Sequence, residues 1–261
     1  MGRDSDEVKI TCNIEGKIAL VTGANRGIGK AIVDAFQRRG VEKVYAAVRD
    51  PASADALVED YGERVAIVPM DLAKPETITA AAERTNDVEV VVNNAAVFKA
   101  CTPFDASSLD ALELGMQINV FGLMRMAQAF APILRENGGG AFVQINSIAS
   151  LKCSSSFATH SATKAASYSI TQALRDLLNQ QGTAVLSVHP GLIATDMSSA
   201  AGLRANAEPP SVVAEGIIAA LQSGVFHLFP DDMAQRIGSA YQSFAHDIIE
   251  AEFAEYKNKR L

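Results

Sequence analysis

An apolar run leads directly into Thr22-Gly23-Ala24-Asn25-Arg26-Gly27-Ile28-Gly29 and then into an amphipathic stretch, an arrangement suited to holding a pyrophosphate. Gly23 permits a sharp turn, Gly27 lets the backbone approach phosphate oxygens, and Gly29 lets a following helix pack closely on its strand. The phosphates would then lie over a helix N-terminus, where unpaired N–H groups and the helix dipole favour anions. A glycine-rich turn alone would be weak evidence of this. A strand before it and a helix after it make the dinucleotide reading the stronger one. Farther along the chain, His160 and Lys164 stand four residues apart, a step that puts an imidazole and an ammonium on one face of a helix.

These groups need a scaffold, and the hydropathy pattern supplies one. Short runs rich in β-branched residues at 17–22, 43–48, 64–69, 88–93, 141–147 and 184–189 read as strands, with 225–229 a weaker seventh. Most are nearly continuous apolar runs, as parallel strands covered on both faces require. Between them, 27–39, 53–61, 75–85, 107–137, 157–181 and 210–223 read as helices, and a last helical stretch runs from beyond Pro230 to about 257. Gly40, Gly138-Gly139-Gly140 and Gly182 fall just past helix ends. The expectation is a single-domain Rossmann fold, an α/β architecture with a doubly wound, mostly parallel seven-stranded sheet and helices on both faces. Residues 1–13 read as a polar N-terminal tail and 14–261 as one dinucleotide-binding domain.

Composition narrows the partners. The 261 residues carry a formal net charge of −7 with no basic stripe, which argues against nucleic acid and anionic membranes. No apolar run is long enough to span a bilayer. Cys12, Cys101 and Cys153 have neither disulfide-framework nor zinc spacing, so a cytoplasmic setting is expected. Cys153 is read as a small buried thiol bordering the substrate pocket, and the region of Met124 and Met126 as packing. His189, His227 and His246 lack metal-ligand spacing and read as structural or surface residues.

The ordered motifs resemble those of the short-chain dehydrogenase/reductase family over roughly residues 14–230. The glycine loop resembles its T-G-x-x-x-G-x-G signature, and Asp71-Leu72 follows the third strand where that family places an Asp against adenine. Asn93-Asn94-Ala95-Ala96 resembles N-N-A-G, with Ala96 in place of the final Gly. Asn119 lies in the long helix, Ser147 ends the fifth strand, and Pro190-Gly191 follows the sixth with Thr195 at the nicotinamide-contacting place. The resemblance implies cofactor contacts at Gly23, Asn25, Arg26, Gly27, Ile28, Gly29, Arg49, Asp71, Leu72, Asn94, Ala95, Ala96, Lys164, Pro190, Gly191 and Thr195.

The cofactor is read as NADP(H). NAD-binding relatives commonly carry an acidic residue at the end of the second strand, where this chain has Val48 followed by Arg49. Arg26 and Arg49 together would grip a 2′-phosphate through charge-assisted hydrogen bonds. Asp50 reads as an N-cap before Pro51, although a shift of two in the alignment would let it take a ribose hydroxyl instead.

The resemblance also implies a catalytic set of Asn, Ser, Tyr and Lys, matched here by Asn119, Ser147 and Lys164, while His160 stands where the tyrosine is expected. The interval of 13 residues from Ser147 to His160 is typical of the family, so no gap hides a tyrosine. Tyr168 lies on the wrong side of Lys164 and reads as helix packing. Imidazole has an ordinary pKa of about 6.5, and a neighbouring Lys164 would keep the ring neutral and a poor acid. Two accounts compete: His160 as a natural acid/base, or a substitution that weakens catalysis, which the otherwise ordinary motif favours. The expected activity is reduction of a small apolar ketone or aldehyde, or the reverse oxidation of an alcohol. The rival is a dinucleotide-binding protein with little turnover. The stretch 197–209 reads as a mobile lid, and helices 107–137 and 157–181 carry enough apolar surface to build a homodimer or homotetramer.

Overall fold

The chain's computed structural model describes residues 9–200 and 207–249. Its strands are β1 (Ile18–Thr22), β2 (Lys43–Val48), β3 (Val65–Pro69), β4 (Val90–Asn93), β5 (Ala141–Ile145), β6 (Ala184–Val188) and β7 (His227–Leu228). They form one parallel sheet in the order β3-β2-β1-β4-β5-β6-β7. Apolar residues occupy successive strand positions because the sheet is covered on both sides. Ala19, Val21, Val90 and Val92 feed one core, while Leu20 and Val91 feed the other.

The first core is closed by α1 (Gly27–Arg38), α2 (Asp55–Tyr61) and α8 (Ser211–Ser223), through residues such as Phe36, Leu57 and Ile217. The second is closed by α3 (Pro75–Arg84), α5 (Gly122–Glu136) and α6 (Ala158–Asn179), through Ile78, Phe130 and Leu178. The remaining helices are α4 (Ser108–Gly115), α7 (Asp196–Ala200) and α9 (Asp232–Phe244). No helix among the described residues is long and apolar enough to cross a membrane.

Three sequence expectations need correction. The stretch 107–137 is not one regular helix: Met116–Phe121 winds more widely, as a π-helical stretch between α4 and α5. Residues 9–13 are not a tail. Cys12 is buried in the first core, and its N–H donates to Leu221 O at 2.9 Å. Met126 is buried but Met124 is exposed, so only one of the two packs inside. The tail's first eight residues and the last helix beyond 249 lie outside the described residues.

β1 pairs with β2 on one side and β4 on the other, so the strand order reverses between β1 and β4. Crevices at the carboxyl ends of such strands are where open α/β sheets bind ligands. Thr22, Asn93 and Ile145 end the strands at that edge.

Candidate active site

The glycine loop has the backbone its sequence implies. Gly23 and Gly27 have φ of +64° and +53°, a region favouring glycine, and a Cβ on Gly29 would collide with the Gly23 carbonyl. Arg26 occupies the N-cap position of α1, but no side chain caps that helix and no acidic residue lies in its first turn. Its first N–H groups are therefore left to an anion. Asn94 locks the loop to the end of β4: its Nδ2 donates to Thr22 O at 2.8 Å, while Asn94 N and Ala95 N both donate to Thr22 Oγ1 at 2.9 Å. Ala96 follows on that segment. Across the groove, Thr195 Cγ2 lies 3.2 Å from where a Gly27 Cβ would be.

The other cofactor candidates line the same edge. Asp71 Oδ1 accepts from Ala73 N at 3.0 Å, shaping the turn after β3, and Leu72 is buried beneath Gly122. Asn25 Nδ2 donates to Ser53 Oγ at 3.1 Å, and Ile28 packs on the first core. Asp50 caps the turn at Pro51–Ala54, its carboxylate accepting from Ala52 N at 3.3 Å, so the reading as a cap holds. Arg49 is exposed beside it. Arg26 is not converged with Arg49; it pairs with Asp196 at 3.2 Å. These residues fit a dinucleotide: the uncapped N-terminus of α1 would meet its pyrophosphate, and exposed Arg49 would meet a further anionic group.

Lys164 is buried to 4% exposure, and its Nζ donates to Ile145 O at 2.8 Å, beside the end of β5. Burial lowers its pKa to about 8. Ser147 begins a short helical turn at Ile148–Ser150; its Oγ accepts from Ala149 N at 3.1 Å and donates to Pro190 O over a long 3.4 Å. That length leaves the hydroxyl easy to redirect. Asn119, in the π-helical stretch, clamps Val97 through both ends of its peptide-like side chain: Oδ1 accepts from Val97 N at 2.9 Å, and Nδ2 donates to Val97 O at 3.0 Å. Nδ2 also donates to Thr163 Oγ1 at 3.0 Å, which donates to His160 O at 2.9 Å.

His160 lies on α6 one turn before Lys164, its ring edge-on to Phe98 at 4.9 Å between centroids. Its Nδ1 is buried without a hydrogen-bond partner. Burial, and then the Lys164 charge, push the imidazole pKa down to about 3, with the Val97 backbone opposing. Asn119, His160, Thr163, Val97 and Phe98 border a small cavity of about 30 Å³; Ser147 is not among its walls.

Tyr168 is committed elsewhere, its hydroxyl 2.6 Å from His227 Nε2. His189 is structural as expected: its ring nitrogens lie 2.8 Å from Ser187 Oγ and 3.0 Å from Ser150 Oγ. Cys153, read as buried, is exposed. Of the lid stretch, 201–206 lie outside the described residues; its base is closed by Ala194 N donating to Glu208 O at 2.8 Å and Glu208 N donating to Leu192 O at 3.0 Å. Sequence reasoning missed Val97, Phe98 and Thr163, which lie in an irregular segment or look like ordinary helix residues.

A parallel sheet whose strand order reverses beside a glycine loop defines a Rossmann-type α/β fold with a candidate ligand crevice at one edge. The family model for short chain dehydrogenase matches residues 17–205, and the chain belongs to that family. An uncharacterized oxidoreductase of Staphylococcus haemolyticus is 31% identical over 217 residues, covering 80% of this chain and 92% of the relative. A short chain dehydrogenase from Burkholderia cenocepacia, solved in complex with NADP, is 32% identical with a TM-score of 0.82, covering 92% of this chain and all of that one. One from Burkholderia phymatum in complex with NAD, 21% identical with a TM-score of 0.78 and covering 91% of this chain and 95% of that one, shares the fold.

Proposed function

We propose that the chain is an NADP(H)-dependent carbonyl reductase, reducing a small apolar ketone or aldehyde or running the reverse oxidation, with proton delivery weakened by His160. The cofactor reading rests on Arg49 beyond Val48, on Asp50 being spent as a cap, and on the NADP complex of the Burkholderia cenocepacia relative. When bound, the nicotinamide supplies or accepts the hydride. The glycine loop and α1 would hold the pyrophosphate, Arg49 the 2′-phosphate, and Lys164 the nicotinamide ribose, while Arg26 is paired with Asp196.

Ser147 turns its hydroxyl from Pro190 O to the substrate oxygen and stabilises the charge that develops there. His160 occupies the place of the proton donor. The observation that carries the reading is this ring on α6, one turn from buried Lys164 and held neutral. A neutral imidazole donates a hydrogen bond but parts with its proton reluctantly. Turnover with NADPH over a ketone and aldehyde panel, in the parent and in His160→Tyr, tests it. Absence of turnover in both would overturn the reading and leave a binding protein.

The protein is further proposed to be a cytoplasmic homodimer or homotetramer. Its three cysteines are free, and Leu109, Leu114, Phe121, Met124 and Leu177 leave apolar surface on α4, α5 and α6 and the stretch between α4 and α5.

A further inference from the structure

We propose that Asp231 is a positioning residue for Ser147, acting through the single peptide group that joins Pro190 to Gly191; this rests on the catalytic role given to Ser147 above. Asp231 is 2% exposed, and among the described residues its carboxylate has no cation against it. Its two oxygens are divided between two backbone donors. Oδ1 accepts from Ala234 N at 3.0 Å and so caps α9, while Oδ2 accepts from Gly191 N at 2.6 Å. The first bond is ordinary helix capping. The second is short and charge-assisted, and reaches 40 residues back to the loop after β6.

The peptide that gives its N–H to Asp231 gives its C=O to the site. Pro190 O accepts from Ile148 N at 3.0 Å and from Ser147 Oγ at 3.4 Å. One planar group is thus pinned at both ends, and planarity transmits the orientation set at the N–H to the carbonyl that steers the serine hydroxyl. Gly191 is required by the same contact. A Cβ there would lie 2.5 Å from Asp231 Oδ1 and 3.2 Å from Met233 Cβ. The glycine that the sequence assigns to the cofactor loop is therefore also the residue that lets a buried carboxylate approach the loop backbone. It ties the start of α9 to the edge of the active site.

Two variants separate this role from capping. Asp231→Ser retains a good N-cap for Ala234 N but is too short to hold Gly191 as well. Asp231→Asn retains the cap and turns an amide NH2 toward the Gly191 N–H. For Asp231→Ser we expect a melting temperature near the parent's and retained NADPH binding, with the Gly191 amide proton moved upfield. The Ser147 and Ile148 amides should shift with it, and kcat should fall on the order of 10- to 100-fold, the range a small misplacement of a reacting group produces. Asp231→Asn should change the same quantities in the same direction. Unchanged Ser147 and Ile148 amide resonances in both variants, or an unchanged kcat in both, would overturn the proposal. A parent chain without carbonyl turnover would overturn the proposed function alone, and the amide resonances would then decide for or against Asp231.

Discussion

His160 and Lys164 share one face of α6, one turn apart, and the ring's burial together with that ammonium pushes the imidazole pKa down to about 3. The ring is therefore neutral across the physiological range. A natural imidazolium acid would give a rate that fades as pH rises through its pKa; a neutral ring gives none of this between about pH 5 and 8. Restoring the tyrosine supplies a longer side chain with a phenolic donor. In His160→Tyr the turnover number should rise by about 100-fold, the low end of what a positioned proton donor supplies, with NADPH affinity nearly unchanged. Steady-state kinetics beside a fluorescence titration of NADPH check this. A turnover number that falls on restoration would make His160 the working catalyst.

The parts of this site legible in the sequence are those fixed by local geometry. The glycine loop follows from conformational freedom at Gly23 and Gly27, the strands from apolar continuity, and the shared face of His160 and Lys164 from helical spacing. What the sequence hides is contact between distant segments. Nothing in the sequence singles out Asp231, and its bond to Gly191 depends on β6 and β7 lying side by side. Val97 looks like any apolar residue until Asn119 clamps its backbone. The π-helical stretch around Asn119 was invisible because its residues suit an ordinary helix.

Cofactor preference should lie in Arg49. Arg26 is paired with Asp196 at the opposite side of the groove, whereas Arg49 follows the end of β2 and is exposed. Arg49→Ala should weaken NADPH binding about 10-fold or more, in line with roughly 1.5–3 kcal/mol for a hydrogen bond to a charged group, and leave NADH nearly unchanged. The preference for NADPH should shrink as salt rises. Equal affinity of the parent for the two cofactors, by titration calorimetry, would refute the assignment.

Assembly should depend on the apolar surface of α5 and α6. Met124 is 42% exposed and Leu177 62%, large hydrophobic side chains that a lone subunit would leave wet. Light scattering at micromolar concentration should give a multiple of 27.6 kDa, and Leu177→Glu or Met124→Glu should lower it. A parent mass near that of one chain would overturn the homo-oligomer.

Acid should expose the cost of the two buried histidines. His160 and His189 are each held at a pKa of about 3, while in the unfolded chain each returns to about 6.5. Between those values the unfolded state binds protons that the folded state refuses. Stability is then fully present above about pH 6.5 and is lost as pH falls toward 3. Two such groups give a limiting slope of 2 × 1.36, or about 2.7 kcal/mol per pH unit. The range from about pH 6.5 to 5 separates histidine titration from that of the carboxylates, and the comparison with His160→Tyr separates His160 from His189, His227 and His246. Urea unfolding across that range should show the parent losing stability faster than His160→Tyr, whose phenol does not titrate there. The difference should approach one proton's slope, about 1.4 kcal/mol per pH unit. Identical slopes in the two proteins would mean that His160 takes up its proton without unfolding, and the neutral-ring account of its weak acidity would fail.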